Sequence, residues 1–123
     1  HFHAYMSLKK TAEGQPQHAL MLLLGLDPYL KLVIAVDEDV NVFDEQEILW
    51  ALATRFQADT DMFMVPHVFC NRLDPSSRDG TSAKLALDAT APLKQDVERA
   101  VVPKDAARWA AELLARKQLS ENC

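Results

Sequence analysis

Apolar and polar side chains alternate at the very start of the chain. Positions 2, 4, 6 and 8 are apolar, and the intervening positions carry His1, His3, Tyr5 and Ser7. Because successive side chains of a strand point to opposite faces, this pattern predicts a half-buried strand whose polar face is available to line a site. The strand begins at the first residue, with neither an initiator methionine nor a signal-peptide pattern before it. We therefore expect the sequence to be a piece of a longer protein.

A helix and a second strand are predicted next. Pro16 stands where a first helical turn tolerates proline, so the helix is expected over residues 16–24 with Gly25 as its C-cap. Pro28 reinforces the stop, because the residue before a proline is pushed out of the α region. The run Leu32–Val36 is continuously apolar and largely branched, which is typical of a strand covered on both faces in the middle of a parallel sheet.

The second helix has a clear start signal. Asp44 is followed three residues later by Glu47, the spacing of an N-terminal capping box. The apolar positions after this box predict a helix that continues to Phe56.

Two more strands complete the pattern. Residues 62–65 predict a third central strand, and Pro66 limits how far it can continue as an interior one. A polar loop over residues 70–84 precedes a fourth strand at residues 84–89. The alternation of strands and helices predicts an α/β fold, a three-layer α/β/α sandwich with a mostly parallel sheet of about four to five strands plus a C-terminal helix.

The chain divides into a domain and a tail. We expect an α/β domain over residues 1–91 and a tail over residues 92–123. The tail is irregular up to residue 102, with a short extended segment at residues 100–102. Residues 103–117 predict a helix that presents three apolar side chains to a partner surface, and these are Trp109, Leu113 and Leu114.

Composition narrows the classes of partner. Hydrophobic residues make up 49% of the 123 positions and charged residues 25%, with a net charge of −5, which is ordinary for a globular domain. The basic residues are scattered, which argues against nucleic acid as a partner. No apolar stretch is long enough to span a bilayer. Cys70 and Cys123 are isolated thiols, which favours a reducing, cytoplasmic compartment, although a disulfide between them stays open.

Three segments in register resemble one known family. Together with the opening strand they are similar to the C-terminal domain of the UbiD family of carboxy-lyases over roughly residues 1–90. The segments are LKLVIAVDEDVNVFDEQEILWALATRF (residues 30–56), NRLDPSS (71–77) and DGTSAKLALDAT (79–90).

The resemblance implies an enzyme function for the longer protein. Members of the family are non-oxidative, reversible decarboxylases of aromatic, heteroaromatic or α,β-unsaturated acids. They use prenylated FMN with a divalent metal, Mn or Mg, and potassium, and the cofactor serves as the electron sink. Their catalytic arginine and glutamates and their metal ligands lie in a preceding flavin-binding domain. The resemblance therefore implies no catalytic residue and no metal ligand in this chain, no cofactor in this piece alone, and a homodimer formed partly through the tail.

The resemblance also assigns candidate site residues. Lys84 matches a family lysine that reaches the cofactor phosphate, although its loop, Gly80 to Lys84, has one glycine where many relatives have two. Side chains of the first strand and of the strand after the lysine line the acyl pocket, which implies substrate contacts for His3, Tyr5 and Leu87. Without the resemblance, Lys84 is an exposed lysine at a strand start and His3 is a solvent-facing strand residue.

Other polar clusters in the sequence give weaker predictions of a functional site. Asp37, Glu38 and Asp39 could ligate a hard cation, but acids at a strand-to-helix crossover usually solvate the turn and favour the next helix. His67 and Cys70 lack a second pair of zinc ligands. Two alternatives to the enzyme stay open. One is a non-catalytic oligomerisation or accessory module, and the other is a small nucleotide binder, for which the G-x-G-x-x-G turn is missing.

Overall fold

A computed structural model describes residues 2–94 and 103–121, with side chains described up to residue 117 of the last helix. The strands are β1 (His3–Leu8), β2 (Leu32–Asp37), β3 (Met62–Phe69) and β4 (Thr81–Ala89). The helices are α1 (Gln15–Leu26), α2 (Glu45–Arg55) and α3 (Lys104–Glu121). His1, Cys123 and the extended segment predicted at residues 100–102 lie outside the described residues.

The four strands form one mixed sheet in the order β1-β2-β4-β3. β1, β2 and β4 are parallel to one another, and β3 pairs antiparallel with β4. The α/β class, the mostly parallel sheet and the C-terminal helix are therefore confirmed. β2 occupies the interior position that its apolar run predicts, because both of its faces are covered.

The predicted place of β3 was wrong. It lies at the edge of the sheet rather than at the centre, and it runs against its neighbour. Pro66 lies inside β3, where its missing N–H can be tolerated because an edge strand pairs on one side only. The fourth strand also begins earlier than predicted, at Thr81, so that Lys84 lies within a strand and not in a loop.

Each face of the sheet carries one helix. α1 covers one face, where Leu20 and Leu24 pack with Val33, Ala35 and Ala86. α2 covers part of the other face, where Ile48 and Ala51 pack with Ile34, Val36 and Ala89. This gives the three layers that the sequence predicts.

The ends of the helices show which local signals were decisive. Asp44 caps α2 by accepting a 3.0 Å hydrogen bond from the Gln46 N–H. Glu47 accepts from the Asn41 N–H at 2.8 Å, and the Asp44 N–H donates to the Asn41 carbonyl at 3.1 Å. Gly25 is not the C-cap of α1, because the helix continues to Leu26 and ends at Asp27 in an extended conformation, as expected for the residue before Pro28.

The last helix is exposed along its described side chains. Trp109 is 65% exposed and Leu114 64%. In the described part of the chain, no helix is both long and apolar enough to cross a bilayer.

Candidate functional site

One face of the sheet is only partly covered by α2. Two rows of paired residues cross it from β1 to β3, because residues in register on neighbouring strands share a face. The first row runs His3, Leu32, Leu85, Met64, and the second runs Tyr5, Ile34, Leu87, Met62.

The uncovered part of these rows forms a mostly apolar surface. We call it the open face, and it comprises His3, Tyr5, Leu32, Met62, Met64, Leu85 and Leu87. The two methionines are 41% and 59% exposed, and His3 is also exposed. Tyr5, Leu32 and Leu87 are half-buried at the border of the α2 core. The sheet therefore brings His3, Tyr5 and Leu87 onto a single face, with Tyr5 and Leu87 at the same level on either side of β2.

Lys84 lies on the opposite face. Its neighbours in alternation, Ala86 and Asp88, are buried on the α1 side, and Lys84 itself is only 2% exposed. The structure therefore does not place Lys84 beside His3, Tyr5 and Leu87.

The ammonium of Lys84 holds the loop between α1 and β2. It donates to the carbonyl oxygens of Asp27 at 3.3 Å and Pro28 at 3.2 Å, and also to that of Leu30. Burial lowers the pKa of Lys84, and the nearby Asp27 carboxylate opposes this shift. An exposed lysine at a strand start is thus the wrong description of this residue. Its contact with a cofactor phosphate stays a prediction, one that would require these carbonyl contacts to be exchanged for the phosphate.

The acidic turn after β2 is occupied by an arginine. Arg55, in the last turn of α2, donates to Asp37 at 2.7 Å and to both oxygens of Asp39 at 2.8 Å. The Trp50 ring lies 4.9 Å from the guanidinium carbon. Within residues 2–94 and 103–121, no three His, Cys, Asp or Glu side chains come together in a way that could hold a metal ion. Asp37 and Asp39 thus serve an ion pair.

Sequence reasoning did not single out Arg55. The sequence nevertheless contains a signal for this ion pair, because an arginine in the last turn of a helix that follows an acidic crossover can fold back toward that crossover. Cys70 and His67, considered as a zinc pair, differ in exposure. Cys70 is a buried thiol with no disulfide partner among the described residues, whereas His67 is exposed.

The model of the 3-octaprenyl-4-hydroxybenzoate carboxy-lyase C-terminal domain, UbiD_C, matches residues 1–89. The chain belongs to this family. The UbiD C-terminal domain thus accounts for β1 through β4 and both covering helices.

Several curated proteins that resemble this UbiD domain are decarboxylases. It is 44% identical over 103 residues to anhydromevalonate phosphate decarboxylase of Aeropyrum pernix, covering 82% of this chain and 24% of that protein. It is 39% identical over 100 residues to gallate decarboxylase of Lactiplantibacillus plantarum, covering 72% of this chain and 20% of that protein. The chain spans about a quarter or less of the length of these relatives.

Solved structures agree with the family. The UbiD-class enzyme HmfF from Pelotomaculum thermopropionicum, in complex with FMN, aligns with a TM-score of 0.79 and 43% identity over 83% of this chain and 24% of that one. The 3,4-dihydroxybenzoic acid decarboxylase AroY of Klebsiella pneumoniae aligns with a TM-score of 0.72 and 36% identity, over 88% of this chain and 25% of that one.

Proposed function

We propose that this chain is the C-terminal domain of a non-oxidative, reversible decarboxylase of aromatic, heteroaromatic or α,β-unsaturated carboxylic acids. The observation that carries the proposal is the family match over residues 1–89. Relatives that are decarboxylases support it. The catalytic arginine and glutamates would lie in a flavin-binding domain that precedes residue 1. We therefore expect the isolated chain to be inactive.

The open face would complete the substrate pocket. Its half-buried side chains, Tyr5 and Leu87, offer an apolar wall suited to a planar ring or alkene, with the His3 imidazole as a hydrogen-bond partner at one end. Walls of this kind exclude water and hold the acid in one orientation, which raises the fraction of bound substrate that is ready to react. Nothing in this role requires the domain to supply an acid or a base.

Prenylated FMN is the cofactor we propose for the longer protein. HmfF has been solved with FMN, and an evolved dimeric form of it with prenylated FMN. When bound, this cofactor supplies the electron sink for loss of carbon dioxide. The apolar open face fits contact with an aromatic ring system. Lys84 would contribute a phosphate contact only after releasing the loop carbonyls, and a divalent metal and potassium would be held by the preceding domain.

The cytoplasm is the compartment we propose. Cys70 is a buried thiol without a disulfide partner in the described residues, which suits a reducing environment.

The test begins with the native polypeptide. Its intact mass shows whether a flavin-binding domain precedes residue 1, and carbon dioxide release from a panel of ring and alkene acids shows the activity. Leu87→Lys should lower kcat/KM at least tenfold, because a charge then enters the apolar wall. Leu49→Lys, on the outer side of α2 where Leu49 is exposed, is the matched control. If Leu87→Lys keeps full activity, the open face is not part of the pocket.

A second function is favoured by the exposed α3. Its apolar side chains would suit a non-catalytic oligomerisation or accessory module. A native protein that lacks any flavin-binding domain and releases no carbon dioxide would establish this alternative and overturn the first.

A further inference from the structure

A basic cleft lies at the edge of the sheet where the parallel strands begin. It has a volume of about 380 Å³. Three of its side chains are basic and three carry hydroxyl groups, and these are Lys31, His67, Arg78, Ser76, Thr81 and Ser82. In a chain with a net charge of −5, a cleft lined by three basic groups provides a local site for an anion.

Lys31 is held in place before any ligand arrives. Its ammonium pairs with Asp74 at 3.1 Å and contacts the Ser76 hydroxyl. Asp74 is 4% exposed and is itself fixed by the Ser76 N–H at 2.9 Å. The Asp74 carboxylate neutralises the charge of Lys31. A positive charge that is free to attract an anion must therefore come from another residue of the cleft.

Arg78 supplies that charge. Its backbone is fixed by two 2.9 Å hydrogen bonds exchanged with Thr81, and the tight turn between them has positive φ at Asp79 and Gly80. No ion pair or hydrogen bond involves its guanidinium among the described residues, and the residue is exposed. A guanidinium on a fixed backbone can bind a phosphate with two parallel hydrogen bonds.

His67 projects from a strained position. Its φ is 56°, in the left-handed region, which is uncommon for residues other than glycine and is adopted mainly by asparagine, aspartate and histidine. It lies in the β3 bulge, where the register with β4 shifts between Val65 and Val68. Bulges redirect side chains, and strain of this kind concentrates at functional sites. The bulge thus places the imidazole in the lining of the cleft.

The cleft adjoins the open face. Ala83 lines the cleft and lies two residues before Leu85 on β4, so both side chains point to the same side of the sheet. The Ser82 hydroxyl is the remaining donor, because the hydroxyls of Ser76 and Thr81 already donate to Asp74 and to the Arg78 carbonyl. We propose that this cleft binds the phosphate group of a phosphate monoester whose apolar body lies along the open face.

This phosphate site deepens the proposed function. It rests on that function only for the identity of the ester that is bound. Two sources share this chemistry, a phosphorylated substrate and the phosphate of a flavin mononucleotide. Binding can be measured on the 123-residue chain without any catalytic activity, so the two proposals can fail separately.

The experiment is an amide NMR titration of the chain at constant ionic strength. Inorganic phosphate, butyl phosphate and FMN are the three probes, and sodium chloride is the blank. We expect saturable shifts at His67, Thr81 and Ser82, with butyl phosphate binding at least tenfold more tightly than inorganic phosphate. FMN binding tighter than butyl phosphate assigns the cleft to the cofactor, and the reverse order assigns it to the substrate.

Two variants decide whether the cleft is the site. Arg78→Gln should weaken binding at least fivefold, and His67→Asn should weaken it while keeping a residue that tolerates positive φ. Arg72→Gln, another exposed arginine but outside the cleft, should leave the affinity unchanged. Absence of saturable shifts with all three probes, or equal binding by Arg78→Gln and the unaltered chain, overturns the proposal.

Discussion

Arg55 and Asp39 are joined by two parallel hydrogen bonds of 2.8 Å each. The same guanidinium reaches Asp37 at 2.7 Å, and Asp37 also accepts from the Ala91 N–H at 2.8 Å. These contacts connect the end of α2, the end of β2 and the segment after β4. The Asp39 hydrogen bond is the main reason that the pKa of Arg55 is raised, so the guanidinium stays charged at every ordinary pH.

Arg55→Met should therefore destabilise the domain. The arginine side chain is buried, and its loss leaves Asp37 without its ion-pair partner, so we expect a loss of about 3 kcal/mol in the free energy of unfolding. Urea denaturation measures this change in the free energy of unfolding. The exposed Arg72→Gln should change the value by less than about 0.5 kcal/mol. A loss below about 1 kcal/mol for Arg55→Met would mean that the ion pair contributes little.

Lys84→Met should loosen the loop between α1 and β2. Methionine keeps an apolar side chain but has no ammonium, so the carbonyl oxygens of Asp27, Pro28 and Leu30 lose their shared donor. We expect the free energy of unfolding to fall by about 1–3 kcal/mol. Hydrogen exchange should increase at residues 27–31 before it increases elsewhere. Uniform protection in that loop would contradict the anchoring role.

The same variant tests the predicted cofactor contact. In the whole enzyme, flavin retention by Lys84→Met can be compared with that of the unaltered protein after gel filtration. Unchanged retention would remove Lys84 from phosphate binding and leave it with the loop.

Lys84 should also give the domain an alkaline pH dependence. Burial lowers its pKa in the folded chain below the ordinary 10.5. Between the two pKa values the unfolded chain binds more protons than the folded one, so stability rises as the pH rises toward 10.5. The difference in unfolding free energy between the unaltered chain and Lys84→Met should grow in favour of the former over this window. A pH-independent difference would be inconsistent with a lowered pKa.

Asp74 should stabilise the domain at all but acidic pH. The Ser76 N–H, the Ser76 hydroxyl and Lys31 lower the pKa of this carboxyl below its ordinary 3.8. A carboxyl whose pKa is lower in the folded chain than in the unfolded chain stabilises the fold at pH values above its unfolded-state pKa. This stabilisation is lost as the pH falls through the folded-state pKa. Asp74→Asn should be less stable at pH 6 and should lose less on acidification. Asp79→Asn is the control that should behave like the unaltered chain, because Asp79 is exposed and asparagine tolerates its positive φ.

We propose that the homodimer implied by the family resemblance depends on α3. Trp109 and Leu113 are four residues apart and therefore share a side of the helix. A charge at each, in Trp109→Lys with Leu113→Lys, should weaken self-association at least tenfold by sedimentation equilibrium. Ala111→Lys, on the opposite side of the helix, should leave it intact. A monomer at high concentration in the unaltered chain would remove the homodimer.

Local signals predicted the local structure well. The Asp44 cap and the extended residue before Pro28 depend on neighbours within a few positions, so the sequence contains their causes. Gly25 predicts the end of α1 because glycine is common at helix C-termini, but α1 ends two residues later, at the residue before Pro28.

Long-range relationships were harder to predict. The edge position of β3 depends on which strand pairs with β4, and a short apolar run does not encode that choice. Alternation along β4 places Lys84 on the face of Ala86 and opposite Leu87 wherever the strand begins, so the side of Lys84 could have been predicted. The sequence did not show that α1 covers this face. The positive φ of His67 could not be read from the sequence, because it belongs to a bulge in the pairing of β3 with β4.

The bulge in β3 also determines how the sheet can be extended. Pro66 offers no N–H and His67 turns the backbone out of the regular pleat, so the outer margin of β3 is a poor template for an additional strand. Strand-by-strand aggregation through that margin is discouraged. A polypeptide that reaches this margin would have to stack against a layer of the domain, because it could not lengthen the ladder there.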